Sequence, residues 1–423
     1  MQAIDIHHFE LILLFIVALI VAFAALARRL QTPYPIVLVM GGLTVSLLPN
    51  MPRVDLNSDV IFLVLLPPLL FAAAFHTSWR SFRAGLPRIA FMAFGLAGFS
   101  VAAVAYATGL LLPGFDLRVG FVLGALVAGT DAVAATAIAR RMHLPRRISD
   151  LVEGESLLND ATSLLALEFS VAMLVNNTVP SFQEGALRLL YLVVAGVLLG
   201  MVSGWLIHRC QVLITDAPLE VTLTLIAPYV AYLAAESAHA SGVLATVACG
   251  LYLGEKQSES LSVPARTEMS AIWGTLDFVL NGIVFTLVGL QLPYVLQGIQ
   301  GVRLTELLID AGFLVAILIA LRLIWVFGAS WIVFGFSRLI GRPTARPRHR
   351  ESLIIGWTGM RGVITLAAAM SVPETIYNGA AFPQRDTLIF LCFCVILATL
   401  VGQGLSLPPL IRRLGLSPAR ADK

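Results

Sequence analysis

Asp131 and Asp160 stand inside two consecutive apolar segments of this sequence. An ionised carboxylate in the hydrocarbon region of a bilayer costs about 2.5–3.5 kcal/mol on insertion scales, so it persists only with a partner or a task. Between and around them runs AGTDAVAATAIARRMHLPRRISDLVEGESLLND, residues 128–160. Ser156 and Asp160 are four apart and Ser156 and Asn159 three apart, which puts a hydroxyl, an amide and a carboxylate on one helical face. Hard cations take oxygen ligands of these kinds. Thr130 and Asp131 add oxygens from the preceding segment, and backbone carbonyls join them if the helix unwinds there. A purely structural role, with both acids paired to bases, has only Arg322 and Arg361 to draw on at that depth. The pattern points to a site for a cation, a proton, or both in turn.

The other intramembrane polar groups fall into place around that pair. Arg361 lies in a glycine-flanked stretch, Gly356-Trp357-Thr358-Gly359-Met360-Arg361-Gly362. Glu155 faces a different side of its helix from Asp160, and a Glu155–Arg361 ion pair is the expected way to neutralise both. Arg322 either caps the carbonyls of a broken helix or adds a positive field near the site. Asp277 and Asn281, four apart, either line the cavity or join helices. Glu153 is placed to gather cations from the cytoplasm, and Glu168 to face a vestibule or the outer surface. Ser149 is the expected N-cap of the helix carrying Asp160, and Pro67-Pro68 the expected kink of another. His239-Ala240-Ser241-Gly242 is a weak match to an intramembrane serine protease motif and lacks its first glycine.

The elements that carry these residues are set by composition. Hydrophobic residues make up 58% and charged ones 13%, with a mean hydropathy of +0.88; this is an integral membrane protein. A net charge of +3 suggests no nucleic-acid partner. No cleavable signal peptide is expected, since no basic flank precedes the first apolar stretch. The four cysteines fall in or beside apolar segments and are expected as buried thiols. Thirteen segments are candidate spans: 11–27, 34–48, 60–75, 89–112, 119–139, 150–175, 186–208, 219–236, 241–254, 270–291, 306–336, 352–371 and 387–407. With the N-terminus outside and the spans alternating, 21 of the 28 Lys and Arg fall in inner loops and 5 in outer ones. That bias places the C-terminus in the cytoplasm. The basic stretch Arg338–Arg350 is one such inner loop, suited to contact with anionic lipid. Two six-span repeats of opposite orientation plus one linking span would match segment 119–139 with 352–371, and both carry glycine beside charged residues at mid-span.

Several motifs resemble the monovalent cation:proton antiporters of family 1, the bacterial and archaeal sodium/proton antiporters related to animal sodium/proton exchangers. They are Gly129-Thr130-Asp131, the run Glu153-Gly154-Glu155-Ser156-Leu157-Leu158-Asn159-Asp160, Ser241-Gly242-Val243-Leu244, Phe278-Val279-Leu280-Asn281 and Gly359-Met360-Arg361-Gly362. The resemblance runs through nearly the whole chain. It implies an all-α homodimer of thirteen-span protomers with inverted repeats, a core near 89–175 and 306–407, and a dimerisation part near 11–75 and 186–291. It implies that Thr130 (through its backbone), Asp131, Ser156 and Asp160 surround the cation, that Asn159 braces the crossing and that Glu155 pairs with Arg361. The Asn-Asp pair at 159–160 resembles the electroneutral branch. Some members carry an acid after Leu-Leu-Phe; here Leu69-Leu70-Phe71 is followed by Ala72. That departure bears on selectivity for sodium over potassium.

The function expected is exchange of sodium, or another monovalent cation such as lithium or potassium, for protons across the inner membrane, without cofactor or covalent step. Proton and cation would compete for Asp160, since burial opposes the bare carboxylate and either partner relieves it. The rival readings on the same scaffold are a cation channel and a sodium-coupled solute symporter.

Overall fold

In the hydrocarbon region a backbone must satisfy its own hydrogen bonds, so a chain dominated by apolar runs folds as helices. The structure, a computed structural model, describes residues 6–48, 60–77, 79–112, 114–176, 181–214, 216–299, 303–339, 348–376 and 379–416. Its helices are α1 (Ile6–Leu30), α2 (Tyr34–Ser46), α3 (Leu66–His76), α4 (Trp79–Ala90), α5 (Leu96–Leu111), α6 (Leu117–Ala128), α7 (Ala132–Arg141), α8 (Arg146–Val175) and α9 (Phe182–Val212). They continue as α10 (Ala217–Ser237), α11 (Gly242–Ser260), α12 (Val263–Leu290), α13 (Leu292–Gly298), α14 (Leu304–Leu339), α15 (His349–Trp357), α16 (Val363–Met370), α17 (Arg385–Leu397) and α18 (Gly404–Arg413). Short π-helical turns at Ile61–Leu65, Phe91–Gly95 and Ala398–Gln403 run directly into α3, α5 and α18. Among the described residues there is no strand, only one isolated bridge between Thr375 and Ala381.

Among the described residues eight helical runs are long and apolar enough to cross a bilayer, and Tyr34–Ser46 and Ile61–His76 are shorter apolar helices. Each of the thirteen apolar segments overlaps helical backbone, and two of them are interrupted: 119–139 between α6 and α7, and 352–371 between α15 and α16. Part of the basic stretch Arg338–Arg350 lies outside the described residues, as do Arg53, Arg420 and Lys423.

The chain divides into two compact units. One comprises Met1–Leu56, Arg88–Asn177 and Gly282–Lys423 and holds both interruptions; the other comprises Asn57–Pro87 and Thr178–Asn281. In the first unit α6 lies directly on α5. A Cβ at Gly120 would stand 2.7 Å from the Ala105 carbonyl oxygen, and one at Gly124 2.6 Å from that of Val101. Small residues one turn apart let the two backbones touch, which fixes where α6 delivers its C-terminal break. In the second unit the core gathers around Trp273 and Phe71, whose ring centroids are 5.1 Å apart, with the Trp273 indole donating to Thr224 Oγ1 at 3.2 Å.

Two local expectations change, and the weak motif at Ser241 finds a local role. Ser149 lies inside α8, because the helix already starts at Arg146, with Pro145 as N-cap and Ile148 N–H closing the first turn on the Pro145 carbonyl. Ser241 caps α11, its hydroxyl accepting from Leu244 N–H at 3.3 Å. All four cysteines are free; Cys249 and Cys392 are buried as expected, but Cys394 is half-buried and Cys210, in the last turn of α9, is exposed.

Candidate functional site

The first unit brings its two interrupted helices together at their breaks. Asp131 N–H donates to the Met360 carbonyl at 2.8 Å, one break bonded to the other through backbone groups that no longer have a helical partner. Asp131 also caps α7, its Oδ1 accepting from Val133 N–H at 2.7 Å. The glycines of the second break make room for charged groups. A Cβ at Gly362 would strike the Asp131 carboxylate, and one at Gly359 would stand 2.8 Å from Arg322 Nε.

α8 passes beside this crossing and presents the predicted face to it. The Ser156 hydroxyl donates to the Thr130 carbonyl. Asn159 Nδ2 donates to the Ala128 carbonyl at 3.2 Å and to Thr130 Oγ1 at 3.1 Å, so the amide holds the freed end of α6. Asn159 Oδ1 is buried and accepts no hydrogen bond among the described residues. Asp160 is 6% exposed. A Cβ at Gly129 would lie 3.1 Å from Asp160 Oδ1 and 2.8 Å from Ser163 Oγ, so only glycine lets the break approach this carboxylate so closely. A cavity of about 10 Å³ is lined by Gly129, Ser163 and Thr365 among others; that is room for about one water.

The arginines exchange the roles expected of them. Glu155 pairs with Arg322, not Arg361: Nη1 to Oε1 is 2.7 Å and Nη2 to Oε2 3.0 Å, both side chains almost wholly buried. Two parallel bonds in a fork match guanidinium to carboxylate. Arg322 also donates from Nε and Nη2 to the Ile355 carbonyl, at 3.4 and 3.3 Å, near the end of α15 where helical donors run out. Capping broken-helix carbonyls, one of the two roles considered for it, is thus what its geometry shows. Arg361 donates through its backbone N–H to Thr399 Oγ1 at 3.0 Å. Its Nε and Nη1 are buried and make no hydrogen bond among the described residues. The charges acting on it are those of Arg322, Glu155 and Asp160, and those acting on Asp160 are Asp131 and Arg361. With Glu155 already held by Arg322, the charge of Arg361 is left chiefly to Asp160.

Thr130, Asp131, Glu155, Ser156, Asn159, Asp160, Arg322 and Arg361 therefore share one cluster. Glu153 sits half-buried earlier on α8. Asn281 belongs to the other unit, where its amide donates to Asp277 Oδ1 and to the Asp277 carbonyl, both at 2.9 Å, within α12. Thr399 and Ser163 escaped the sequence reading. Both are polar residues in the middle of apolar segments, the same signal that exposed Asp160, but a hydroxyl is common enough in such helices to pass unnoticed.

Residues 14–413 match the family model described as sodium/hydrogen exchanger, transmembrane. An uncharacterised sodium/proton exchanger of Mycobacterium tuberculosis is 32% identical over 402 residues, covering 94% of this chain and 73% of that one. A sodium, potassium, lithium and rubidium/proton antiporter of Bacillus subtilis is 31% identical, over 89% of this chain and 57% of its own length. Among solved structures, the sodium proton antiporter MjNhaP1 of Methanocaldococcus jannaschii at pH 8 superposes with a TM-score of 0.76, covering 97% of this chain and 99% of its own at 17% identity.

Proposed function

This chain belongs to the sodium/hydrogen exchanger family, a family of multi-pass membrane transporters, and from that premise we propose that the cluster at the crossed breaks exchanges one monovalent cation for one proton. The observation that carries the proposal is the charge of the cluster. Three carboxylates, Asp131, Glu155 and Asp160, face two guanidiniums, Arg322 and Arg361. Glu155 and Arg322 cancel in their fork, and Arg361 offsets one aspartate. One negative charge remains, and a buried uncompensated charge is costly. A single proton or a single cation cancels it, so the two compete and either loaded form is neutral.

Asp160 is the carboxylate that changes partner. Asp131 Oδ1 is tied to the start of α7, whereas Asp160 lies against Gly129 with the Thr130 carbonyl and Ser156 hydroxyl nearby, an all-oxygen set for sodium, lithium or potassium. Ala72 follows Leu-Leu-Phe where some members of the family carry an acid, and the four alkali cations in the name of the Bacillus relative favour a site that accepts more than one of them. Asn159 keeps the break open without adding charge. The first unit carries the loaded site across by alternating access. The protein works as a homodimer in the cytoplasmic membrane, N-terminus outside and C-terminus in the cytoplasm, and the chain's two lysines, Lys256 and Lys423, stay out of the cycle.

The test is proton flux in proteoliposomes after addition of sodium, lithium or potassium to one side. Cation-driven proton movement of opposite direction is the expected result. Cation flux without proton counter-flow would identify a channel and overturn the proposal.

A further inference from the structure

Hydroxyls inside an apolar helix commonly serve the helix itself. Thr162 donates to the Leu158 carbonyl, Ser170 to that of Ala166 and Thr399 to that of Val395, each four residues back and at 2.7–2.8 Å. Thr365 has no such outlet. It stands in the first turn of α16, which begins at Val363, so the residue four back is Arg361, in the break. Thr365 is 4% exposed, and among the described residues its hydroxyl makes no hydrogen bond. A buried hydroxyl without a partner is costly. What Thr365 does line is the cavity of about 10 Å³ at Gly129, together with Ser163 and Leu126. That volume suits one water, and a buried water needs two to four polar partners. The walls supply them. Ser163 is buried and already donates to the Asp160 carbonyl at 2.9 Å, so its oxygen has lone pairs left to accept. The Thr365 hydroxyl is free to donate. Leu126 lies in the last turn of α6, where carbonyls run short of helical donors.

We propose that Ser163 and Thr365 jointly hold one water in this cavity, and that the water ties α16 to α8 beside Asp160. Thr365 donates to the water; the water donates to Ser163 and to the end of α6. The bridge ends close to the carboxylate. The point where a Cβ on Gly129 would sit is 2.8 Å from Ser163 Oγ and 3.1 Å from Asp160 Oδ1. Ser163 and Thr365 are then positioning residues, neither of them touching the cation. They fix the spacing between the second break and the helix that bears Asp160, and so the seat that Asp160 offers. That consequence rests on the reading of the cluster as a cation site; the water itself does not.

The experiment pairs high-resolution electron cryomicroscopy with sodium-driven proton flux in proteoliposomes. Wild type should show a density peak within hydrogen-bond distance of both hydroxyls. Thr365→Val, which keeps the shape of the side chain and removes its donor, should lose that peak. A wild-type map that resolves other buried waters but none here would overturn the proposal. In the flux measurement Thr365→Val and Ser163→Ala should each raise the sodium KM by roughly two- to tenfold, the worth of one ordinary hydrogen bond, with the maximal rate retained. Thr365→Ser should restore the wild-type KM. The double variant should be no worse than the poorer single one, since both lose the same water; effects that multiply would mean two independent contacts and no shared bridge. An unchanged KM in both single variants would overturn the positioning role. The density peak is read without transport, so a chain that exchanges no cation can still hold the water, and the two failures are told apart.

Discussion

Asp160 and the two arginines differ in what they leave unsatisfied, and that difference predicts how their variants behave. Asp160→Asn keeps the shape of the side chain but removes the charge that a proton or cation neutralises. Exchange should fall to background while the protein purifies and melts like wild type; sodium-driven dequenching of a pH dye in proteoliposomes reads this directly, and full activity would exclude Asp160 from the mechanism. Arg322→Ala strips Glu155 of both fork bonds and frees the Ile355 carbonyl. Breaking one side of a buried pair costs about 3–5 kcal/mol, so its melting temperature in detergent should drop well below that of wild type. Arg361→Ala removes a guanidinium whose Nε and Nη1 have no hydrogen bond. It should cost less stability than Arg322→Ala and abolish exchange, because two aspartates would then face the cation with no fixed countercharge. Equal melting temperatures for the two alanine variants would show that the pairing with Glu155 is not what distinguishes them.

At the scale of the element, the two breaks hold each other open. The Asp131 N–H to Met360 carbonyl bond joins them, and Gly362 lets the Asp131 carboxylate pass. Asp131 does two jobs there, as helix cap and as charge. Asp131→Asn can still accept from Val133 N–H, so it should fold normally and lose exchange. Asp131→Ala should lose the cap as well, at about 1 kcal/mol. Thermal melts set beside proton flux for the two variants separate the roles; identical stability would mean the cap contributes nothing. The π turn at Ala398–Gln403 has a comparable part, since it carries the Thr399 hydroxyl onto the Arg361 N–H. π turns are frequent at functional positions because they re-aim side chains without ending the helix.

For the whole molecule the consequence is electrical. If the cluster is neutral whether it carries a proton or a cation, the cycle moves no net charge. A charge that crossed the membrane would feel about 2.3 kcal/mol per 100 mV. Proteoliposomes clamped at several potentials with potassium and valinomycin, once any potassium transport by the protein is corrected for, should reach the same sodium-driven pH gradient. A gradient that follows the imposed potential would reject one-for-one exchange while leaving the cation site in place.

The helical class, the apolar segments, the interruptions at Gly129 and Gly359–Gly362 and the Ser156, Asn159, Asp160 face were all legible in the sequence. Each depends on neighbours within a turn or two, where helical period and the demand for self-satisfied backbone groups leave little choice. The partner of Glu155 was not legible. Arg322 and Arg361 were both at membrane depth, and the fork to Arg322 spans 167 residues of sequence. Which arginine reaches Glu155 depends on how α8, α14 and α15 stack, and on Gly359 leaving space for the Arg322 side chain. The same holds for Asn281, whose polarity marked it for the site but whose amide folds back onto Asp277 in the other unit. Local periodicity decides which residues share a face; only packing decides what that face meets.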